Sequence, residues 1–330
     1  MLRTAAAIAA AVVLAAPGAA ATKRPALAAE QRKLKVPPAW LASTPTSYDT
    51  NQPWKKARRD IRGLLGKAKY REAIKLTYIY MQKKDIGDGH EYPMYIYLGR
   101  EFAWAELEYR RFVASGHTEP HTMKQLASIY LHYGEHKKAL GVLNVALQHL
   151  PTNVWRTTRD ADVNEALGDV YAQMGDAKRA SQHYRKAMGL YPQSKQPWGR
   201  QNLPKRVAKA KAKMEILTLH TPEPGTLRDG SYKGSAIGYM GDVNTTVTVK
   251  GGKIADVKVS HRENIYGTAV IDMPKRIVAA QSLKVDCVTG ATVTSQAILA
   301  GAHEALKQAG MTQAPRKAQP QAQPQDPVAF

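Results

Sequence analysis

Apolar residues along this 330-residue chain follow two different periods. From about Asp60 to Leu219 they recur three and four positions apart, the spacing of a helix face. After Thr221-Pro-Glu-Pro-Gly225 the period drops to two: Val243, Thr245, Val247 and Val249 alternate with polar residues, as do Ala255, Val257 and Val259. Gly251-Gly252 between these runs predicts a β-hairpin closed by a two-residue turn. Ahead of it, Gly230-Ser-Tyr-Lys-Gly-Ser-Ala236 reads as a glycine-broken first strand. Pro274 to Ala280 reads as a short helix, and the spacing of Ile298, Leu299, Ala302 and Leu306 predicts a last helix over Ser295 to Gln308. The chain is therefore expected to be multidomain, with an all-α array over 59–220 followed by a small α+β domain over 226–310.

The ends carry other signals. Arg3, the apolar stretch Ala5 to Ala16, the break at Pro17-Gly18 and the small residues Ala19-Ala20-Ala21 read as a signal peptide over 1–21. That stretch is too short and alanine-rich for a membrane span, so the mature protein is expected outside the cytoplasm, periplasmic or membrane-associated. Residues 22–58 show no sustained period and read as an extended linker. The Pro- and Gln-rich residues 311–330 read as a disordered tail.

Within the helical stretch a pattern repeats. Leu167, Gly168, Tyr171, Ala180, Tyr184, Ala187 and Pro192 share their spacing with Leu126, Ala127, Tyr130, Ala139, Leu143, Ala146 and Pro151. The spacing resembles the tetratricopeptide repeat, in which two antiparallel helices pack small residues against large ones. On that resemblance, Gly134-Glu135 and Gly175-Asp176 turn each pair, and Ala139 and Ala180 mark where paired helices approach. The residues that lengthen the period lie in 152–162. Tyr92 to Phe112 reads as another helix pair, and a weaker unit surrounds Ala73. Such arrays present a concave face to a protein partner, although the repeats could equally serve as a spacer for the C-terminal domain.

A formal net charge of +21 raises the question of nucleic acid, which export argues against. The C-terminal domain is nearly neutral, with nine Lys/Arg against seven Asp/Glu over 229–310, so the excess falls on the helical part. There it would favour an anionic envelope surface, or simply serve as a solvated face. Cys287 is the only cysteine, which rules out an internal disulfide and a thiolate-held metal or iron–sulfur centre. Flanked by Val285 and Val288, it reads as a small core filler. Redox chemistry in this chain would need an organic cofactor. No Ser/His/Asp constellation and no Rossmann glycine fingerprint is visible.

Candidate chemistry gathers before the last helix, in Thr289-Gly290-Ala291-Thr292-Val-Thr294-Ser295. Helix N-termini offer unpaired amides and a positive dipole end, so they favour phosphate. Gly290 and Ala291 would let a phosphorylated group reach the backbone. Thr292, Thr294 and Ser295 add hydroxyls that could contact an anion or simply cap the helix. These residues alone leave both readings open.

Asp229-Gly-Ser-Tyr-Lys-Gly, the Gly-Gly hairpin and Asp286-Cys-Val-Thr-Gly-Ala-Thr292-Val-Thr-Ser, in that order, resemble the FMN-binding domain family. That family includes domains in the C subunit of the sodium-pumping NADH:quinone reductase and the G subunit of Rnf complexes. The resemblance spans about a quarter of the chain. It implies FMN held covalently through a phosphoester at Thr292, attached by an extracytoplasmic FAD:protein FMN transferase. It makes Asp286 the upstream acidic element of the recognition motif, which Thr289, Gly290 and Ala291 complete. Where many relatives carry a Glu-Thr-Pro-Gly-like loop, this chain has His261-Arg-Glu263-Asn-Ile-Tyr266-Gly267. Glu263 is expected to keep part of that loop's role, and Tyr266 to stack on the flavin ring. The expected function is an exported electron-transfer flavoprotein rather than a stand-alone catalyst. It would exchange electrons with an extracytoplasmic or membrane redox protein docked by the repeats. The competing reading is an envelope adaptor without flavin.

Overall fold

The computed structural model describes residues 26–67, 69–217, 226–238, 241–263, 268–285, 287–288 and 291–311, with the side chains of positions 66, 268 and 292 excepted. The signal segment 1–21 and residues 312–330 of the tail lie outside the described residues. Among the described residues no helix is long and apolar enough to cross a membrane.

The stretch expected as an extended linker differs from that expectation over its described part. It carries α1 (Leu27–Lys33) and α2 (Ala39–Ser43) and enters α3 (Trp54–Gly66). One apolar residue per short helix suffices to dock it: Leu27 and Leu41 are each 2% exposed and join the core of the following helices. Such isolated contacts leave no period to read.

From there the chain runs through α4 (Tyr70–Gln82), α5 (Glu91–Leu98), α6 (Phe102–Ala114), α7 (Pro120–His132) and α8 (His136–Gln148). It continues through α9 (Arg156–Gln173), α10 (Ala177–Leu190) and α11 (Leu203–Ile216). From α3 onward each helix packs against the next. The two sequence copies coincide with the pairs α7/α8 and α9/α10. Ala139, Leu143 and Ala146 share a buried cluster with Leu126 and Ala127. In the second pair Tyr184 lies against Gly168, Ala180 clusters with Tyr184, and Ala187 clusters with Ala161. Gly134 and Gly175 take positive φ (73° and 81°) and end the first helix of each pair. The residues between the copies lengthen α9 to 18 residues.

A buried ionic ladder joins α9 to α11. The Lys213 ammonium lies 2.6 Å from Glu165 and 2.8 Å from Asp169, and Arg206 lies 2.6 Å from Asp162. The Tyr191 hydroxyl donates to Glu165 and the Tyr184 hydroxyl to Asp169. Burial alone would push the Glu165 carboxyl up, but Lys213 and its hydrogen bonds outweigh that and hold it at about 2. The far side of α11 reaches the next unit, packing against its last helix and first strand.

That unit is a three-stranded antiparallel sheet of β1 (Gly230–Ile237), β2 (Asp242–Lys250) and β3 (Lys253–His261), in that order. Gly251 and Gly252 both take positive φ (58° and 69°), as the two-residue turn requires. Asp229 clamps this turn, accepting from Gly252 at 3.0 Å and Gly251 at 2.9 Å. Strand β2 buries Val243, Thr245, Val247 and Val249 as its alternation predicts. Strand β3 departs from its expected alternation: the register slips opposite Thr248/Val249, Ile254 pairs with Val249, and Ala255 is left exposed at a bulge. Helices α12 (Thr268–Ala280) and α13 (Thr292–Gln308) cover the buried face, α12 over β3 and α13 over β1 and β2. α12 starts six residues before Pro274, the residue expected to open it.

Candidate functional site

α13 begins at position 292, three residues earlier than its apolar spacing predicts. Its N-cap is Ala291, which has no side chain to cap the first turn. The positive end of a 17-residue helix therefore lies next to a residue only a methyl in size. This is the geometry a phosphate-bearing cofactor needs.

The hydroxyls expected as caps or anion contacts are turned elsewhere. Ser295, fully buried, accepts from the Val288 amide at 3.1 Å and donates to the Ala291 carbonyl at 2.9 Å. It fixes the turn entering α13 rather than facing a ligand. Thr294, also buried, donates to Glu263 Oε2 at 2.7 Å. That bond brings Glu263, 31 residues away in sequence, to the first turn of α13. The Glu263 amide in turn donates to His261 Nδ1 at 3.1 Å, which shapes the end of β3. Gly238 leaves room for the carboxylate: a Cβ there would lie 2.5 Å from Glu263 Oε1. Asp286, Thr289, Gly290 and Tyr266 lie outside the described residues, as does the side chain of Thr292.

Two further residues escaped the sequence reading. Gln296, one turn on from position 292, is 4% exposed, and its side-chain Nε2 has no hydrogen-bond partner among the described residues. A buried orphan donor costs about 1–3 kcal/mol unless something accepts from it. Its signal in the sequence is a polar residue interrupting the buried stripe of α13. The second is Lys209 of α11. Burial holds its ammonium below the usual lysine range, which the carboxylates of Glu165 and Glu263 only partly offset. Cys287 is buried among Val285, Val288 and Ala291.

A second cluster lies apart, where Asp88, His90 and Glu91 bring donor atoms within 4.8 Å of one another. Glu91 already faces Arg58 at 2.7 Å and Arg62 at 3.9 Å, so the cluster serves as an ion-pair node in the helical core.

Sheet, covering helices and open helix end together define a small α+β domain built to hold a phosphorylated cofactor. Residues 238–307 match the family model of the FMN-binding domain, and this part of the chain is an FMN-binding domain of a flavoprotein. Three curated proteins are similar to about a quarter of this chain. NADH:acrylate oxidoreductase of Vibrio harveyi is 36% identical over 90 residues, 26% of this chain and 9% of that protein. Urocanate reductase of Eggerthella lenta is 37% identical over 100 residues, 29% of this chain and 16% of that protein. An uncharacterized protein of Treponema pallidum is 38% identical over 88 residues, 26% of this chain and 24% of that protein. The chain thus spans at most about a quarter of the length of these relatives.

The described residues fit FMN. Two features accommodate it: the small Ala291 at the helix start and a buried amide one turn along that has no partner among the described residues.

Proposed function

We propose that this chain is an exported electron-transfer flavoprotein with FMN esterified to Thr292, in which the helical region docks an extracytoplasmic or membrane redox partner. The observation that carries the reading is the place of position 292, the first residue of a long helix whose N-cap is alanine and offers no capping side chain. A phosphate on that residue lies at the positive end of α13. The attachment is an exchange at phosphorus. The Thr292 oxygen bonds to the flavin-side phosphorus of FAD, the bond to the bridging oxygen breaks, AMP leaves, and the hydroxyl proton passes to a base of the transferase. The bound FMN supplies the electron-carrying chemistry. Glu263 is held by Thr294, and its carboxylate is a fixed negative charge beside the attachment turn. Ser295 locks the turn so that position 292 keeps its place on the helix. Relatives named for NADH- and urocanate-linked reductions support an electron-transfer role for the shared domain.

The test is expression in an exporting host that also makes the transferase, followed by intact-mass analysis of the envelope fraction. The expected product is yellow and heavier by one FMN, with both features lost in Thr292→Ala. Yellow protein whose colour washes out on denaturation overturns the ester in favour of reversible binding. Colourless protein of unmodified mass overturns the carrier in favour of the adaptor reading.

A further inference from the structure

Two loops bring the half-buried Trp155 and the exposed Trp198 together. Trp155 closes the α8–α9 loop, and Trp198 lies in the segment between α10 and α11. Their rings meet edge to face at 5.4 Å, and the Arg159 guanidinium sits over Trp155 at 5.4 Å. Trp198 is 64% exposed and the neighbouring Val154 51%, so a large apolar surface stands in water. Arg156, Lys195 and Arg200 flank it, all exposed. The carboxylates that follow on α9 are already matched, Asp160 by Lys186 and Asp162 by Arg159 and Arg206. The patch is therefore both aromatic and cationic.

Its size and position choose the occupant. Two indoles and a valine offer at most a few hundred Å², whereas a stable protein interface buries about 800 Å² per partner. The rings stand on the segments that join helices, Trp155 just before α9 and Trp198 between α10 and α11. Indole rings settle at the boundary between water and lipid, and flanking Lys and Arg are drawn to anionic headgroups. The chain's excess of cations acts in the same direction. We propose that Trp155, Trp198 and their basic neighbours form a docking site for an anionic lipid surface, with the two indoles at headgroup depth. This site stands independently of the flavin reading.

The test uses the purified full chain with vesicles of phosphatidylglycerol and phosphatidylethanolamine, compared with vesicles of phosphatidylcholine alone. Binding is read by co-sedimentation, and depth by quenching of tryptophan emission with brominated lipid. The expected result is binding to the anionic vesicles only, with blue-shifted, quenched emission. Trp198→Ala, an exposed change that leaves the circular dichroism intact, weakens binding roughly tenfold. Lys195→Gln with Arg200→Gln also weakens it and flattens its salt dependence. Absence of vesicle binding overturns the proposal and leaves an acidic protein as the occupant. Binding that Trp198→Ala does not change, or that shows no quenching, overturns it in favour of adsorption by charge spread over the other helices.

Discussion

The two regions of this molecule bury polar groups in opposite ways. The helical region hides whole charges and matches them: Asp162, Glu165 and Asp169 on α9 face Arg206 and Lys213 on α11. In the FMN-binding domain no carboxylate, ammonium or guanidinium is fully buried among the described residues. Its buried polar side chains among the described residues are Thr245, Ser282, Thr294, Ser295, Gln296 and His303, three of them consecutive at the start of α13. A matched ionic ladder fixes how one helix lies on another, a registry role for which buried charges are suited. Of the three at the start of α13, Ser295 and Thr294 are spent within the fold, and only the Gln296 amide is left without a partner among the described residues. Buried charge is matched in the first region, whereas the second leaves one buried uncharged donor open.

The ladder is the place to break this comparison hardest. Lys213→Met leaves the buried Asp169 and the half-buried Glu165 with their shared cation gone, and removing one partner of a buried pair costs about 3–5 kcal/mol. Urea denaturation followed by peptide-resolved hydrogen exchange is expected to show early loss of protection in α9–α11, with the sheet domain retained. Simultaneous collapse of both regions would mean that α11 ties them into one cooperative unit.

Acid probes the same ladder without mutation. Glu165 is held at about 2 against an ordinary 4.5, so its stabilisation is complete above 4.5 and disappears as pH falls toward 2. Asp162 is likewise held down: burial alone would raise it, but Lys124 and Arg206 outweigh that. Asp169 is pushed up by burial and softens the slope. Helical exchange protection should therefore fall between pH 4.5 and 2 before that of the strands.

Glycine contacts come next in size. A Cβ at Gly234 would meet the Gly301 carbonyl oxygen at 2.1 Å, where β1 and α13 touch backbone to backbone, so Gly234→Ala should cost about 3 kcal/mol. The counterpart in the helical region is Gly168, whose Cβ would meet the Tyr184 ring at 2.4 Å. There a side chain can yield, and Gly168→Ala should cost about 1–2 kcal/mol through lost packing and a weakened Tyr184–Asp169 bond. Thermal midpoints of the two variants check the order.

How much of this was legible in the chain follows from the range of each interaction. Ala139 with Leu126 and Ala180 with Leu167 are small-to-large pairs 13 residues apart, so their repetition showed as spacing. The hairpin and its Gly-Gly turn are as local. The ladder pairs Lys213 with residues 44 and 48 positions away, and its lysine sits in a basic run that reads as a solvated face. Docking by a lone Leu27 or Leu41 leaves no period, and the bulge at Ala255 shifts a strand that the alternation alone keeps regular. At the site, Thr292, Gly290 and Ala291 came from the motif. The bond from Thr294 to Glu263 and the burial of Gln296 depend on how the end of β3 and α11 meet α13, which no linear pattern encodes.

The smallest expected effect is the sharpest test of where function resides. Gln296 is buried with an unpartnered amide, so replacing it by an apolar residue of similar size removes a cost rather than a bond. In protein without flavin, Gln296→Leu should leave the thermal midpoint unchanged or raise it by an amount equivalent to about 1 kcal/mol. In flavin-loaded protein the sign should reverse if the amide donates to the cofactor, with a lower midpoint and a shifted flavin absorption band. The reversal compares one substitution in two states of one chain, so a mere packing effect cancels. A rise of equal size in both states would show that Gln296 is a flaw in the packing of α13 and not part of the flavin's surroundings. Uncharged polarity at the start of α13 would then be as architectural as the ladder.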